Sequence, residues 1–186
     1  MPTNGGATPW GMHVDGLDET MENLNRLIMQ YLDAGYKGLI MATAYIRRQT
    51  ETVTPLTPID LGNLRASWLV VTAKGSIQGG EAKFTAKGFI GPRAGEILND
   101  YQSAVNEARG LVRFNQQGTK IFVVFGYGAG YAVYVHENVG ATFQKEGADA
   151  KWFETHIKRN TSQILQIIRT EIQIVRPKVV KKPRKR

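Results

Sequence analysis

The pair His136–Glu137 joins two side-chain types that often carry acid–base chemistry or bind a metal ion. The chain has three histidines, His13, His136 and His156, and none lies in the His-Glu-x-x-His spacing of a zinc site. If Tyr131–His136 is a strand, neighbouring side chains point to opposite faces, so His136 and Glu137 would not share a ligand. The sequence therefore predicts a surface pair at a subunit contact and no metal site.

The glycine-rich segment Gly126–Gly130 is similar to a phosphate-binding loop but lacks its other features. A dinucleotide-binding loop needs Gly-x-Gly-x-x-Gly at the start of a helix, and here the third glycine comes one residue early. No Lys-Ser or Lys-Thr follows, as a Walker loop would require. We expect a tight turn between strands, in which the three glycines supply positive φ.

Nucleophilic groups are also few. The sequence contains no cysteine, which excludes thiolate catalysis and cysteine-bound zinc within it and is typical of a reducing compartment. No serine lies in a Gly-x-Ser-x-Gly motif, and Ser67 is better interpreted as a cap between a helix and a strand. His156 is expected to be a half-buried residue of the last helix. We therefore predict no catalytic residues, no cofactor and no enzyme activity.

Positive charge is concentrated at the end of the chain. The formal net charge is +8, from 24 basic and 16 acidic residues. Seven basic residues stand between 176 and 186 with no acid among them, and the other 17 nearly balance the acids. Such a run could bind DNA phosphates, bind an acidic partner or keep the protein soluble. The seven residues are Arg176, Lys178, Lys181, Lys182, Arg184, Lys185 and Arg186.

The elements that must position these residues follow from the apolar pattern. Leu17–Thr50 predicts a long first helix and Lys151–Val175 a last helix, ended by Pro177. Trp68–Ala73 and Lys120–Gly126 predict strands, the second one buried on both faces. The apolar stripe of the first helix comprises Met21, Leu24, Leu27, Ile28, Tyr31 and Leu32, and the glycines that mark a bend or a close backbone contact are Gly35 and Gly38.

The predicted fold class is α+β, with two long helices packed on one face of a small, mainly antiparallel sheet. Residues 1–16 are expected to form a flexible arm that could dock on a neighbouring subunit through Trp10. The domain spans residues 17–175, and residues 176–186 form the basic tail. An insertion at about 75–118 begins with a turn at Lys74–Ser76 and holds a candidate strand, Lys83–Ile90, and a candidate helix, Ile97–Phe114. No apolar run is long enough to span a bilayer, so no membrane partner is expected.

The segment TPIDLGNLRASW (Thr57–Trp68) holds the most informative pattern in the chain. Its Thr57–Pro58 step favours an extended approach, after which Asp60 is expected to cap a short helix. Leu61 and Leu64 would share one face of that helix. Arg65 could pair with Asp60 to hold the turn, could bind the next subunit, or could be a solvated charge that contributes little.

This segment resembles the Pro-hydrophobic-Asp-Thr-Gly-x-Leu-Arg-x-Ser signature of the tail-completion proteins of tailed bacteriophages, also called neck, minor tail-component or head–tail joining proteins. YAVYVHE (Tyr131–Glu137) and KWFE (Lys151–Glu154) are similar to later segments of that family and come in the family's order. Two departures stand out. Leu61 occupies a position where the family usually has Thr or Ser, and the insertion is longer than the family's usual hairpin.

The resemblance implies a structural virion protein at the head–tail junction, assembled in the host cytoplasm. Such proteins form homo-oligomeric rings, commonly of six or twelve subunits, that surround the DNA channel and join the portal or adaptor to the tail. An acidic partner ring is then the favoured contact of the basic tail, because a strong DNA anchor would oppose DNA passage, and non-specific contact with duplex DNA in the channel stays the alternative. A tail terminator or a head-side adaptor is the close alternative. A DNA-binding accessory protein and a hydrolase with an unrecognised site are the more distant ones.

The ring interface is expected at the turn Thr57–Ser67 and the strand Tyr131–Glu137. The insertion is expected to reach a neighbouring ring or to line the channel. The candidate contact residues are Asp60, Leu61, Leu64, Arg65, Trp68, Tyr131, Tyr134, His136 and Glu137.

Overall fold

The computed structural model describes residues 17–77, 89–115, 118 and 120–175. The arm 1–16, residues 83–88 of the candidate strand and the tail 176–186 lie outside these ranges, so the predictions made for them stay predictions. The elements are, in chain order, α1 (Leu17–Thr52), α2 (Asn63–Ala66), β1 (Trp68–Thr72), β2 (Gly75–Ile77), α3 (Ala94–Asn115), β3 (Val123–Tyr127), α4 (Ala132–Glu137), α5 (Trp152–Arg159) and α6 (Thr161–Gln173).

The three strands form one antiparallel sheet in the order β2-β1-β3. In the central strand β1, Trp68 lies opposite Tyr127 and Thr72 lies opposite both Gly75 and Val123. The mixed helix–strand fold confirms the predicted α+β class. The turn predicted at Lys74–Ser76 is wrong in position, because a two-residue hairpin loop suffices to start β2 at Gly75.

Both faces of β1 are buried, and different helices cover them. On one face, Trp68 and Val70 pack with residues of α1, α5 and α6. On the other face, Leu69 and Val71 pack with the buried side of α3. A run of five buried residues requires cover on both faces, so the helix predicted inside the insertion is confirmed but belongs to the core. The expectation that the insertion reaches a neighbouring ring or lines the channel stays a prediction, since α3 also has exposed residues such as Phe114. The side chains of α3 in that core are Ile97, Tyr101, Val105, Ala108 and Val112.

The long helix α1 packs antiparallel against α6. The Tyr45 hydroxyl donates to Asn160 Oδ1 at 3.0 Å, and eight residues earlier Lys37 Nζ lies 2.8 Å from a carboxylate oxygen of Glu171. Beside that ion pair, a Cβ added to Gly38 would lie 2.9 Å from the Cα of Ile168. The close backbone contact predicted at Gly38 is therefore confirmed, and it is what lets the two helices approach.

The predicted last helix is divided in two at Asn160. This residue has φ −104° and ψ 14°, outside helical geometry, and its side-chain amide donates to the backbone oxygen of His156 at 2.8 Å. Asparagine side chains compete with the backbone for hydrogen bonds in this way, which favours a helix end. The helix α6 then ends at Gln173, and Pro177 lies outside the described residues.

The glycine-rich segment is not a turn between strands. Gly126 and Tyr127 belong to β3. The strand ends there, and the next residue, Gly128, donates its N–H to the Ser67 oxygen at 2.8 Å. A Cβ at Gly128 would lie 2.9 Å from a ring carbon of Tyr101, so this glycine is needed for close packing. The prediction of positive φ at the three glycines of this segment is wrong. The prediction that the preceding strand is buried on both faces is also wrong, since β3 is half-buried. Positive φ occurs at Gly62, Gly91, Gly118, Gly147 and Lys151.

Candidate subunit-contact groove

The turn that precedes α2 is anchored to the end of α1. The Thr57 N–H donates to the Thr50 oxygen at 2.8 Å. The predicted cap by Asp60 is wrong, because Gly62 is the N-cap of α2, in the left-handed region at φ 82°, and no side chain caps the helix. Leu61 therefore precedes α2 and does not share a helical face with Leu64.

Asn63 ties the turn to the chain segment that leads into α3. Its side-chain amide donates to the Ile90 oxygen at 2.8 Å, and its Oδ1 accepts from the Ile90 N–H at 2.7 Å. Asn63 itself is buried. Two hydrogen bonds from one buried amide fix the spacing between the turn and this segment, which form two walls of a groove.

A buried hydroxyl cluster lies beneath the turn. The hydroxyl of Tyr127 lies 3.0 Å from the hydroxyls of both Thr50 and Thr57. Neither threonine is exposed to solvent. Burial raises the pKa of the Tyr127 phenol, so it stays protonated and can donate to this cluster. The cluster connects the end of β3 to both ends of the loop that follows α1.

His156 closes the same loop from the other side. It is completely buried, which corrects the prediction of a half-buried residue. Its Nε2 lies 3.0 Å from the backbone oxygens of both Val53 and Pro55. Carbonyl oxygens only accept, so Nε2 carries the proton and donates. His156 is thus a structural residue that pins the loop to α5.

Arg65 binds Glu51 and not the predicted partner, Asp60. Its guanidinium lies 3.0 Å from the Glu51 carboxylate, which also accepts from Arg47 at 3.1 Å. Burial by itself would raise the pKa of Glu51, but the hydrogen bonds from Arg65 and Arg47 outweigh it and hold that pKa below its usual range. Arg65 therefore fastens α2 to the last turn of α1.

The segment Tyr131–Glu137 is helical, so the predicted strand is wrong. The Val135 N–H donates to the Tyr131 oxygen at 3.1 Å and the Asn138 N–H to the Tyr134 oxygen at 3.2 Å. Tyr131, Ala132 and Val135 face inward while Val133 and Tyr134 are exposed. Inward positions one and four residues apart are the helical period and not the alternation of a strand.

This helix brings His136 and Glu137 together, contrary to the expectation from a strand. His136 Nδ1 lies 2.7 Å from a Glu137 carboxylate oxygen, and Lys151 pairs with the same carboxylate. The hydrogen bonds from Lys151 and His136 lower the pKa of Glu137. The imidazole packs edge-on against Trp152, with 4.9 Å between ring centroids. The pair therefore joins α4 to α5 within one chain.

The walls described above enclose an apolar groove, here called the contact groove, with a volume of about 430 Å³. Leu64 and Ile97 belong to its buried base, and Leu61 and Ile90 are exposed at it, 49% and 59% respectively. Burial raises the pKa of the Tyr131 phenol and the charge of Asp60 raises it further. The lining residues are Pro58, Asp60, Leu61, Gly62, Asn63, Leu64, Ile90, Pro92, Arg93, Ile97, Tyr131, Val135 and Phe143.

The contact residues predicted from the sequence divide into two sets. Asp60, Leu61, Leu64 and Tyr131 line the contact groove. The other five do not: Trp68 is a core residue, 2% exposed, Tyr134 is exposed away from the lining, and Arg65, His136 and Glu137 have partners within the chain. The correction is sharpest for Trp68, whose burial leaves little surface for another subunit.

Sequence reasoning missed one wall of the groove. It treated the segment Ile90–Arg93 as a break inside the insertion, and nothing in the local pattern connected that segment to the turn at 57–67. The bidentate hydrogen bonds of Asn63 make that connection. Phe143 was also missed, because the loop around it carries no motif.

The exposed apolar lining of the contact groove suits the binding of an apolar segment. Among the described residues, no three His, Cys, Asp or Glu side chains cluster closely enough to hold a metal ion, and no helix there could cross a bilayer. Comparisons with protein-family models, with curated proteins and with solved structures found no match. What the geometry offers is a rigid apolar groove with Asp60 and Arg93 in its lining.

Proposed function

We propose that the protein is a structural virion component of a tailed bacteriophage, a neck or tail-completion ring that joins the tail to the portal or adaptor around the DNA channel. The observation that carries the proposal is the meeting of two family-like segments. Thr57–Trp68 and Tyr131–Glu137 are more than sixty residues apart in sequence, yet residues of both line the contact groove.

The contacts that hold the walls of the groove support a structural role. Its walls are fixed by the buried amide of Asn63, by the Arg65–Glu51 ion pair and by the hydroxyl cluster around Tyr127. Preorganised surfaces lose little conformational entropy on association, so they favour a stable joint. A head-to-tail contact repeated around an axis closes into a ring of the proposed six or twelve subunits.

The basic tail is the proposed second contact. Residues 176–186 carry seven positive charges and no acid, and they follow α6 at one end of the domain. In the virion this segment binds an acidic surface of an adjoining ring, with non-specific contact to duplex DNA as the alternative.

Cryo-EM of virions of the phage that encodes this chain tests the proposal. The expected result is a ring of this α+β fold between portal and tail tube. Deletion of the gene should give DNA-filled heads and separate tails, and addition of the purified protein should restore joining. An intact, infectious particle that lacks the chain would refute the proposal.

One observation favours a second candidate, a DNA-binding accessory protein: the concentration of positive charge in the tail. Truncation after Val175 distinguishes the two functions. The accessory protein should lose salt-dependent DNA binding and leave particle assembly intact, whereas the ring protein should show an assembly defect.

A further inference from the structure

The contact groove is an apolar surface that no described segment of the chain fills. Leu61 and Ile90 are about half exposed, and Pro92 and Phe143 extend the apolar lining. Exposed apolar area of this kind on a rigid framework marks a site of association. Arg93, which also lies in the lining, pairs with exposed Glu96 three residues away, a surface contact that contributes little and can be exchanged.

A second exposed apolar surface lies at the start of α1, in the part of the chain that the structure describes. Residues 17–32, here called the overhang, extend beyond the end of α6, because Lys37 already pairs with Glu171 near that end. Along the overhang, Met21 and Leu24 are 51% and 48% exposed, and Met29 and Tyr31 are also exposed. The apolar stripe predicted from the sequence is thus present: Leu27, Ile28 and Leu32 are half-buried, whereas Met21, Leu24 and Tyr31 stay exposed among the described residues.

One chain cannot bring these two surfaces together. The groove lies beside the C-terminal end of α1, because Thr57 is hydrogen-bonded to Thr50 and Arg65 is paired with Glu51. Met21 and Thr50 belong to the same uninterrupted helix of 36 residues, and their separation along its axis is about 43 Å at a rise of 1.5 Å per residue. The overhang can therefore fill only the groove of another molecule.

We infer that the overhang of one subunit docks in the contact groove of the next. This inference rests on the proposed ring and names the interface that builds it. Charges of both signs are available for the contact. The overhang carries the exposed ion pair Glu22–Arg26, and the groove carries Arg93 and Asp60, so an acid and a base of each surface can pair with the opposite charge of the other. Repeated head-to-tail, such a contact between two different surfaces gives a ring or a filament, whereas a reciprocal exchange between two subunits would stop at a dimer.

Cross-linking is a clean test, because the natural sequence has no cysteine. The double variant Leu24→Cys/Leu61→Cys, treated with a short bismaleimide, should give a ladder of covalent multimers that ends at the ring size. Each single variant should stay monomeric on a denaturing gel. A double variant that stays monomeric would overturn the inference, and so would dimers of Leu24→Cys alone, which would indicate symmetric overhang pairing.

A complementation experiment tests whether the overhang of one subunit binds the groove of another, and the quantity measured is the molecular mass of the assembly in solution. The overhang variant Met21→Lys/Leu24→Lys and the groove variant Leu61→Lys/Ile90→Lys change exposed side chains only, so both should fold. Each alone should be a monomer, and an equimolar mixture should give a 1:1 heterodimer, because one intact overhang meets one intact groove. Met41→Lys, on α1 outside the overhang, and Val133→Lys, on α4 outside the lining, are matched controls that should assemble as the wild type does.

Other occupants give other outcomes, and each would overturn the inference. If the arm 1–16 fills the groove, its deletion should abolish assembly while the overhang variant still assembles. If the tail 176–186 covers the overhang, truncation after Val175 should promote cross-linking of Leu24→Cys to itself. Cross-linking inside purified particles distinguishes a failure of the proposed interface from a failure of the proposed function. Particles that contain the chain as a ring but give no ladder of multimers refute the interface alone. Particles that lack the chain refute the proposed function.

Discussion

The hydroxyl of Tyr127, at the end of β3, lies 3.0 Å from the hydroxyl of Thr57, at the start of the family-like turn. Tyr127 also reaches Thr50 at the end of α1 at the same distance. One phenol therefore joins the sheet, the long helix and the turn, and it does so where water is excluded. The position of the contact groove depends on this junction.

Replacement of Tyr127 by Phe should destabilise the protein by about 1–3 kcal/mol, because it leaves two buried threonine hydroxyls without one of their partners. Tyr134→Phe is the matched control: this tyrosine is exposed, and the change should stay within about 0.5 kcal/mol. Urea unfolding of both variants measures the difference. Equal stability of the two would show that the cluster contributes nothing.

Replacement of Glu51 by Gln should lower stability at neutral pH by about 0.5–1 kcal/mol, a modest value because Arg65 is partly solvent-exposed. The folded-state pKa of Glu51 is lowered, so the stabilisation is present above the usual glutamate pKa and is lost as the pH falls through the lowered one. Denaturation of wild type and variant across this range should converge in acid. A difference that grows on acidification would contradict the role assigned to the pair.

Replacement of Gly38 by Ala should destabilise the protein by about 1–3 kcal/mol, because the added methyl group would meet the backbone of Ile168 at 2.9 Å. Gly110→Ala provides the control. Gly110 is an exposed residue of α3 whose added Cβ would meet no atom within 4 Å, so this change should stabilise the protein by about 0.5–1 kcal/mol. Thermal unfolding should move the two melting temperatures in opposite directions.

Replacement of Asn63 by Ala should loosen the wall of the groove, with a loss of about 1–3 kcal/mol from the unpaired backbone groups of Ile90. Asn99→Ala, on an exposed position of α3, should change stability little. Hydrogen exchange should report faster exchange at the Ile90 amide in Asn63→Ala alone. Unchanged protection there would mean that the side chain does not hold the two segments together.

The sequence by itself determined the helices and strands in which apolar residues recur at a regular spacing over a long segment. The first helix, the helix at 94–115 and the strand at 68–72 follow from apolar spacing, because that spacing must match the period of the element that buries it. The concentration of charge in the tail and the lack of cysteine are likewise properties of the sequence alone. Six residues such as Tyr131–His136 are too few to distinguish a helix from a strand, and there local reasoning was wrong.

Tertiary structure decided which side chains meet. Arg65 lies five residues from Asp60 but binds Glu51, because α2 packs on the end of α1 and brings that carboxylate closer. Asn63 reaches Ile90 across 27 residues, and this contact creates the groove. The tertiary structure also decided that Met21 and Leu24 of the apolar stripe of α1 stay exposed, because α6 ends before it reaches them. Local spacing carries the period of an element, but the partner of a side chain depends on how distant segments pack, and that is settled only when the chain has folded.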